Sequence, residues 1–166
     1  MDKISTDKHI ERVVNTYADT LQKLAFTYLH TIADAQDISQ EAFLRLLECA
    51  PRFRDGEHEK AWLIRVTINL CKDRLRRADR RHLSLDEALA VEAPGGDREL
   101  LREVLALPES YRTVLHLHYY EGYTVREIAA ITKRPVGTVA TLLTRGRQKL
   151  KIQLEGDYDE RLSESV

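Results

Sequence analysis

The segment GYTVREIAAITKRPVGTVATLLTRGRQKLK, residues 122–151, contains two helical patterns separated by a break. In the first pattern Ile128, Ala129 and Ile131 share the apolar side. The break falls at residues 132–135, because proline lacks an amide donor and disfavours a helical residue before it. The second pattern has an apolar stripe formed by Val139, Leu142, Leu143 and Leu150. The spacing therefore predicts a helix-turn-helix.

Polar side chains lie on the face of the second helix that the apolar stripe does not use, namely Thr138, Thr141 and Arg145. A second helix presented in this way can enter a DNA major groove. The alternative is a helical hairpin that binds nothing, and the distribution of charge argues against it.

Basic residues are concentrated in two segments, although the formal net charge is -1. Residues 60–81 contain eight Lys and Arg against two Asp, and residues 124–151 contain seven against one Glu. The remainder of the chain is therefore acidic. Two basic segments predict two separate contacts with a polyanion. The alternative interpretation is that both segments are solvated helix faces. It is less well supported, because each segment belongs to a motif of its own.

A length of 166 residues suits one large domain or two small ones, and a hydrophobic content of 43% can form a core. No apolar run approaches the ~20 residues that cross a bilayer, and the polar N-terminus is unlike a signal peptide. Cys49 and Cys71 form no metal-binding spacing. They are predicted to be reduced, buried thiols of a cytoplasmic protein, in preference to a disulfide.

The chain is predicted to be all-α, with two small helical domains joined by a flexible linker and a helix-turn-helix in the C-terminal domain. The domains are expected over 8–81 and 98–154. The predicted segments are a helix over 8–30, a helix from an Asp34 N-cap to Cys49, a polar loop over 52–59, a helix over 60–78, an acidic linker over 82–97, a helical pair over 98–121 around Pro108, the helix-turn-helix, and a frayed acidic tail over 155–166.

The predicted helix over 60–78 has a polar stripe between two apolar sides. The polar stripe consists of Arg65, Asn69, Lys72 and Arg76. The main packing side consists of Ala61, Ile64, Ile68, Cys71 and Leu75. A row of cations on a packed helix is a candidate nucleic-acid surface. Asn69 can read a base edge, and Trp62 and Phe53 can stack on an unpaired base. For Trp62, an ordinary core position is an equally good interpretation.

Three segments together resemble the extracytoplasmic-function group of bacterial sigma factors, over roughly residues 10–153. DAQDISQEAFLRLLE, residues 34–48, is similar to the family's helix that binds core polymerase. AWLIRVTINLCKDRLRR, residues 61–77, is similar to its minus-ten segment. LPESYRTVLHLHYYEGYTVREIAAI with PVGTV is similar to its minus-thirty-five domain. Their order along the chain, with a linker between the second and third, is that of the family.

The resemblance implies an alternative sigma factor that binds core RNA polymerase and directs promoter-specific transcription initiation. The implied contacts with core polymerase are Asp34, Asp37, Ile38, Gln40, Glu41, Phe43 and Leu44. Those with minus-ten DNA are Phe53, Trp62, Arg65, Asn69, Lys72, Arg76 and Arg77. Those with minus-thirty-five DNA are Arg134, Pro135, Thr138, Thr141, Arg145 and Arg147. The expected partners are core polymerase, promoter DNA and an anti-sigma factor, with no cofactor, metal, small-molecule substrate or membrane insertion.

The second helix of the helix-turn-helix departs from the family's pattern. Ala140, Thr141 and Leu142 stand where the family commonly has a cation, serine and arginine. Losing two phosphate contacts should flatten the dependence of log K on log salt by roughly 1.8. Lys133 stands where the turn usually has glycine, and a positive φ there costs about 1 kcal/mol.

Two other classes of function remain as alternatives. A helix-turn-helix regulator that acts without polymerase would have no use for the segment over residues 34–77. An enzyme would need a catalytic constellation, and the best candidates are His116 and His118 with Glu121. Positions i and i+2 of a helix point ~200° apart, so the two histidines cannot share a metal. Neither a glycine-rich phosphate loop nor a nucleophile elbow occurs in the sequence.

Overall fold

The computed structural model describes residues 3–77 and 98–164, and the regular secondary structure within those ranges is entirely helical. Its α-helices are α1 Lys3–Leu29, α2 Ile32–Cys49, α3 Gly56–Arg77, α4 Arg98–Ala106, α5 Glu109–Leu115, α6 Val125–Thr132 and α7 Val136–Glu164. A π-helical turn, His116–Tyr120, continues α5. The chain divides into two compact units, Met1–His82 and Leu83–Val166. The predicted all-α, two-domain architecture is therefore confirmed, and the predicted linker over 82–97 lies outside the described residues.

The first unit is a bundle in which α1, α2 and α3 pack against one another. Each helix contributes side chains spaced three or four residues apart, which place one apolar stripe in the core. The stripes are formed by Val13, Leu21 and Leu24 of α1, Ile38, Ala42 and Leu46 of α2, and Leu63, Ile64 and Cys71 of α3, all of them buried.

The ends of α2 are closed by backbone and side-chain hydrogen bonds. The Thr31 hydroxyl accepts a hydrogen bond from the Asp34 amide at 3.2 Å and donates one to Asp34 Oδ2 at 2.8 Å. Thr31 is therefore the N-cap, and the prediction that Asp34 caps the helix is wrong by three positions. At the other end Ala50 has a φ of 41° and its amide donates to Leu46 O, which ends the helix before Pro51.

In the second unit α7 packs against α4, α5 and α6. Gly146 lies where α7 meets α5, and a Cβ there would be 3.3 Å from Leu115 Cδ1 and 3.4 Å from Tyr111 Cδ1. The missing side chain lets the two helices approach closely. The core on either side consists of Leu105, Val114, Leu117, Ile128, Val139 and Leu143.

Four further details of the sequence prediction are wrong. Helix α1 begins at Lys3 and α3 at Gly56, each several residues earlier than predicted. Helix α7 continues to Glu164, so the tail that was predicted to be frayed is helical over residues 155–164. Cys71 is buried as predicted, but Cys49, at the last position of α2, is exposed. Of the helices in the described ranges, none combines the length and apolar character needed to span a membrane.

Candidate nucleic-acid and polymerase interfaces

Helices α6 and α7 form the helix-turn-helix. The Thr124 hydroxyl caps α6, accepting from the Glu127 amide at 3.2 Å and donating to Glu127 Oε1 at 3.1 Å. The helix ends at Lys133, which has a φ of 54°, so the strain expected at this turn is present. The Arg134 amide donates to Ala129 O at 3.0 Å, which satisfies a carbonyl at the end of α6.

One side of α7 is open along its first turns. Thr138, Thr141 and Arg145 are exposed and share that side at helical spacing. Pro135 is exposed and Arg134 is half-buried, both directly before α7. At the two positions that depart from the family's pattern, Ala140 is exposed and Leu142 is half-buried. In these first turns the open side therefore has one cation, Arg145, beside the hydroxyl groups of Thr138 and Thr141.

Arg147 does not belong to that open side. It lies about 200° around the helix from Arg145, and its Nε donates to Leu143 O at 3.3 Å. Its guanidinium carbon lies 5.9 Å from the ring centroid of Tyr119 in the π-helical turn. The structure thus separates Arg147 from the predicted minus-thirty-five residues and gives it a packing contact within the unit.

The polar stripe of α3 is present as predicted. Asn69 and Arg76 are exposed, and Arg65 and Lys72 are half-buried on the same side of the helix. Arg76 forms an ion pair with Asp73 one turn earlier. The exposed Arg77 is displaced by one position from the stripe.

An aromatic cluster lies at the start of α3. The rings of Phe53 and Trp62 have centroids 5.8 Å apart, and both side chains are half-buried. The His58 ring meets Phe53 edge to face, at 5.4 Å and an interplanar angle of 90°. The structure thus brings the two predicted stacking residues together and adds His58, which the sequence did not single out.

The first turn of α3 is tied to α1 by polar contacts. Glu59 is only 4% exposed, and Arg12 Nη2 donates to its Oε1 and Oε2 at 3.1 and 3.2 Å. His9 Nε2 lies 3.7 Å from Oε2. The Tyr17 hydroxyl donates to Gly56 O at 3.3 Å. Burial, and then the Glu59 carboxylate, raises the pKa of the Tyr17 phenol above its usual value, although Arg12 acts in the opposite direction.

The exposed face of α2 contains most of the residues predicted to bind polymerase. Asp37, Gln40 and Leu44 are exposed, and Glu41 lies half-buried between them. Leu44 is 56% exposed, and the face continues to Leu47, which is 44% exposed. Leu47 lies within the recognised segment of residues 34–48 but was not among the predicted contacts.

Two predicted polymerase contacts are inside the bundle. Ile38 is 1% exposed and Phe43 is 8% exposed, so both form part of the core. The predicted contact set combined two sides of one helix, and only the outer side is available to a partner.

Arg74 connects α3 to the polar edge of α2. Its Nη1 lies 3.3 Å from Asp34 Oδ1 and 3.8 Å from Asp37 Oδ2. Both aspartates belong to the predicted polymerase-binding set. Nothing in the local sequence indicates this contact, because the residues are about 40 positions apart.

The two histidines after α5 have separate environments. His116 stacks on Tyr120 at 4.9 Å, with its Nε2 3.9 Å from Glu121 Oε1. His118 Nδ1 lies 2.8 Å from Tyr123 O. Across residues 3–77 and 98–164, no group of three or more His, Cys, Asp or Glu side chains is arranged to hold a metal ion.

Comparison with known proteins agrees with this arrangement. A family model for Sigma-70 region 2 matches residues 13–81, and one for Sigma-70 region 4 matches residues 97–150. The ECF RNA polymerase sigma factor SigW of Bacillus subtilis is 31% identical over 162 residues, covering 86% of this chain and 87% of the relative. The RNA polymerase sigma-H factor of Pseudomonas aeruginosa is 30% identical over 165 residues, covering 86% and 84%.

Solved structures show the same fold. The sigma factor RpoE in complex with the anti-sigma factor NepR from Bartonella quintana superposes with a TM-score of 0.73 at 18% identity, covering 89% of this chain and 98% of that one. CnrH, solved with the cytosolic domain of CnrY, superposes with a TM-score of 0.67 at 24% identity, covering 91% and 90%.

Two helical units, one with a helix-turn-helix and one with a second basic helix, define a sigma-type transcription factor. The chain belongs to the extracytoplasmic-function group of RNA polymerase sigma factors. It acts as an alternative sigma factor in transcription initiation, with core RNA polymerase and promoter DNA as its partners.

Proposed function

We propose a division of labour among three surfaces. The outer face of α2 binds core polymerase, the polar stripe of α3 with its aromatic cluster recognises and opens the minus-ten element, and the open side of α7 reads the minus-thirty-five element. The first two belong to a domain over 8–81 and the third to a domain over 98–154, with 82–97 as linker and 155–166 as acidic tail. The observation that supports this most directly is the adjacency of Phe53 and Trp62.

The polymerase surface is proposed from exposure and composition. Leu44 and Leu47 are large apolar side chains exposed beside Asp37 and Gln40, and such a mixture suits a desolvated contact with a polar rim. We expect Leu44→Ala to weaken binding to core polymerase by about 5- to 30-fold, equivalent to about 1–2 kcal/mol. Ile152→Ala on α7, an equally large exposed side chain, is the matched control and should leave affinity unchanged.

The minus-ten surface is proposed from its combination of a base-stacking cluster and an amide. Stacking an unpaired base on an aromatic side chain contributes about 1–3 kcal/mol. Asn69, exposed between the cations of the stripe, can hydrogen-bond to a base edge. We expect Asn69→Ala to reduce initiation on a duplex promoter without weakening core binding. Equal loss on promoters that differ only in the minus-ten sequence would argue against base reading by Asn69.

The minus-thirty-five surface is proposed for Arg134, Pro135, Thr138, Thr141 and Arg145. With Ala140 in place of a cation and Leu142 half-buried, binding relies on fewer phosphate contacts than the family's usual pattern. Ala140→Lys should therefore steepen the salt dependence of DNA binding by about 0.9 in log K against log salt. An unchanged slope would show that the missing cation at position 140 does not reduce the number of phosphate contacts.

Run-off transcription with purified core polymerase tests the assignment as a whole. The chain should programme initiation from a cognate promoter, and the Leu44 and Asn69 variants should fail at different steps. If the chain bound duplex DNA but never supported initiation, a regulator acting without polymerase would be the better description.

We also propose that an anti-sigma factor covers these surfaces in the resting cell. The support is that one solved structural neighbour is the sigma factor RpoE in complex with the anti-sigma factor NepR. Because polymerase and DNA are cytoplasmic, so is the proposed place of action, and the chain contributes no catalytic group of its own. Purification from the native cell should yield a complex with a protein partner other than polymerase, and recovery solely as free chain or with polymerase would contradict this.

A further inference from the structure

We infer that His58 is a positioning residue for base capture at the minus-ten element. It fixes the Phe53 ring and the loop behind it before DNA arrives. This inference rests on the proposed role of the aromatic cluster and assigns that role a residue outside the resembling segments.

His58 contacts three consecutive residues of the loop that precedes α3. Its amide donates to Asp55 Oδ1 at 2.8 Å, so Asp55 closes the start of the helix. Its Nδ1 lies 3.2 Å from the Arg54 amide. Because a backbone N–H can only donate, Nδ1 is the acceptor and the ring proton is on Nε2. The same ring meets Phe53 edge to face at 5.4 Å.

The Phe53 ring therefore has two aromatic neighbours. The His58 ring lies against it at 90°, and the Trp62 ring lies 5.8 Å away at 63°. A stacking platform that is already fixed avoids the entropy loss of ordering a side chain during binding. Fixing the backbone at Arg54 has the same effect on the segment that presents the ring.

The core does not require His58 at this position. The buried residue of this turn is Glu59, which bonds to Arg12 on α1, whereas His58 is half-buried and faces the loop. A substitution at His58 should therefore alter the loop and leave the bundle folded. Loss of function and loss of stability can then be measured apart.

The test uses holoenzyme assembled with core polymerase and a promoter carrying 2-aminopurine at the captured minus-ten position. We expect His58→Ala to reduce the rate of opening three- to tenfold, with unchanged core affinity and unchanged thermal unfolding. His58→Asn, which keeps an acceptor near Arg54, and His58→Phe, which keeps a ring beside Phe53, should each recover part of the fluorescence signal. Glu57→Gln, an exposed neighbour in the same turn, is the control and should behave as wild type.

Comparison with Phe53→Ala separates the role of the aromatic cluster from the role of His58. If Phe53→Ala leaves opening intact, the proposed minus-ten role of the cluster is wrong. If Phe53→Ala impairs opening and His58→Ala does not, or impairs it only by unfolding the chain, the positioning role is wrong. The double variant should be no worse than Phe53→Ala alone, because His58 acts through Phe53. Additive losses would also overturn the inference.

Discussion

Arg12 Nη2 donates to both carboxylate oxygens of Glu59, a buried residue 47 positions away on another helix. This contact fixes the first turn of α3 against α1. Since Phe53, His58 and Trp62 surround that turn, the placement of the aromatic cluster depends on a charge pair as well as on apolar packing.

Removing Arg12 should be more harmful than neutralising Glu59. Arg12→Ala leaves a buried carboxylate without its main donor, and we expect unfolding free energy to fall by about 1–3 kcal/mol. Glu59→Gln should cost less, because the amide can still accept from Arg12. Urea unfolding measures both. Lys23→Ala, which breaks an exposed pair with Asp19, should change stability by less than about 0.5 kcal/mol, and a similar loss from all three would contradict the assignment.

Tyr17 should make the first unit sensitive to alkali. Its phenol has a raised pKa in the folded chain, first because it is buried and then because Glu59 is near. The stabilisation of the neutral phenol is therefore complete below the unfolded value of about 10 and is lost as the pH rises through the higher folded value.

Tyr17→Phe should lose less stability than wild type between about pH 9 and 11. At pH 7 the variant should be less stable by about 1 kcal/mol, because the hydrogen bond to Gly56 O is gone. Thermal melts across the pH range measure both effects. Parallel alkaline losses in the two proteins would show that Tyr17 does not control the transition.

Arg145 and Arg147 are two positions apart and should behave differently. Arg145 is on the open side of α7, so Arg145→Gln should lower the salt slope of DNA binding by about 0.9. Arg147 lies over Tyr119, so Arg147→Gln should leave the slope unchanged and reduce thermal stability slightly. Filter binding over a range of salt measures the slopes. An equal reduction of the slope in both variants would place both residues on DNA, and an unchanged slope in Arg145→Gln would remove Arg145 from the DNA surface.

The turn of the helix-turn-helix should be improved by glycine. Lys133 has a φ of 54°, a region in which a side chain is disfavoured. Lys133→Gly should raise the unfolding free energy by about 1 kcal/mol. Lys133→Ala removes the same charge but keeps the Cβ, so the difference between the two variants measures the backbone strain. No difference in chemical denaturation would show that the turn is relaxed with lysine.

Apolar periodicity was enough to predict the helices, because in both units the burial of an apolar side stabilises them. It predicted the core positions Val139 and Leu143 of α7 and Ile64, Ile68 and Cys71 of α3. It failed where a polar residue is buried or an apolar stripe is missing. Glu59 looks like part of a solvated loop, and only its distant partner Arg12 explains its burial. The end of α7 has no apolar repeat, yet it is helical.

The site was predictable to the extent that it follows helix faces. Asn69 and Arg145 lie on open sides as the spacing indicated. A motif, however, does not distinguish the two sides of a helix, and so Ile38 and Phe43 were assigned to a partner although they are core residues. Contacts such as that of His58 with Phe53 depend on side-chain directions in a loop, which periodicity does not describe.

The Arg74 contact with Asp34 and Asp37 bears on how the polymerase affinity should depend on salt. A basic surface that docks on α2 meets carboxylates that already have a cation beside them. Binding through them would then exchange one cation for another, with little net change in the number of paired charges. Association with core polymerase should for this reason respond less to ionic strength than the acidity of α2 suggests, and its free energy should come chiefly from the exposed leucines.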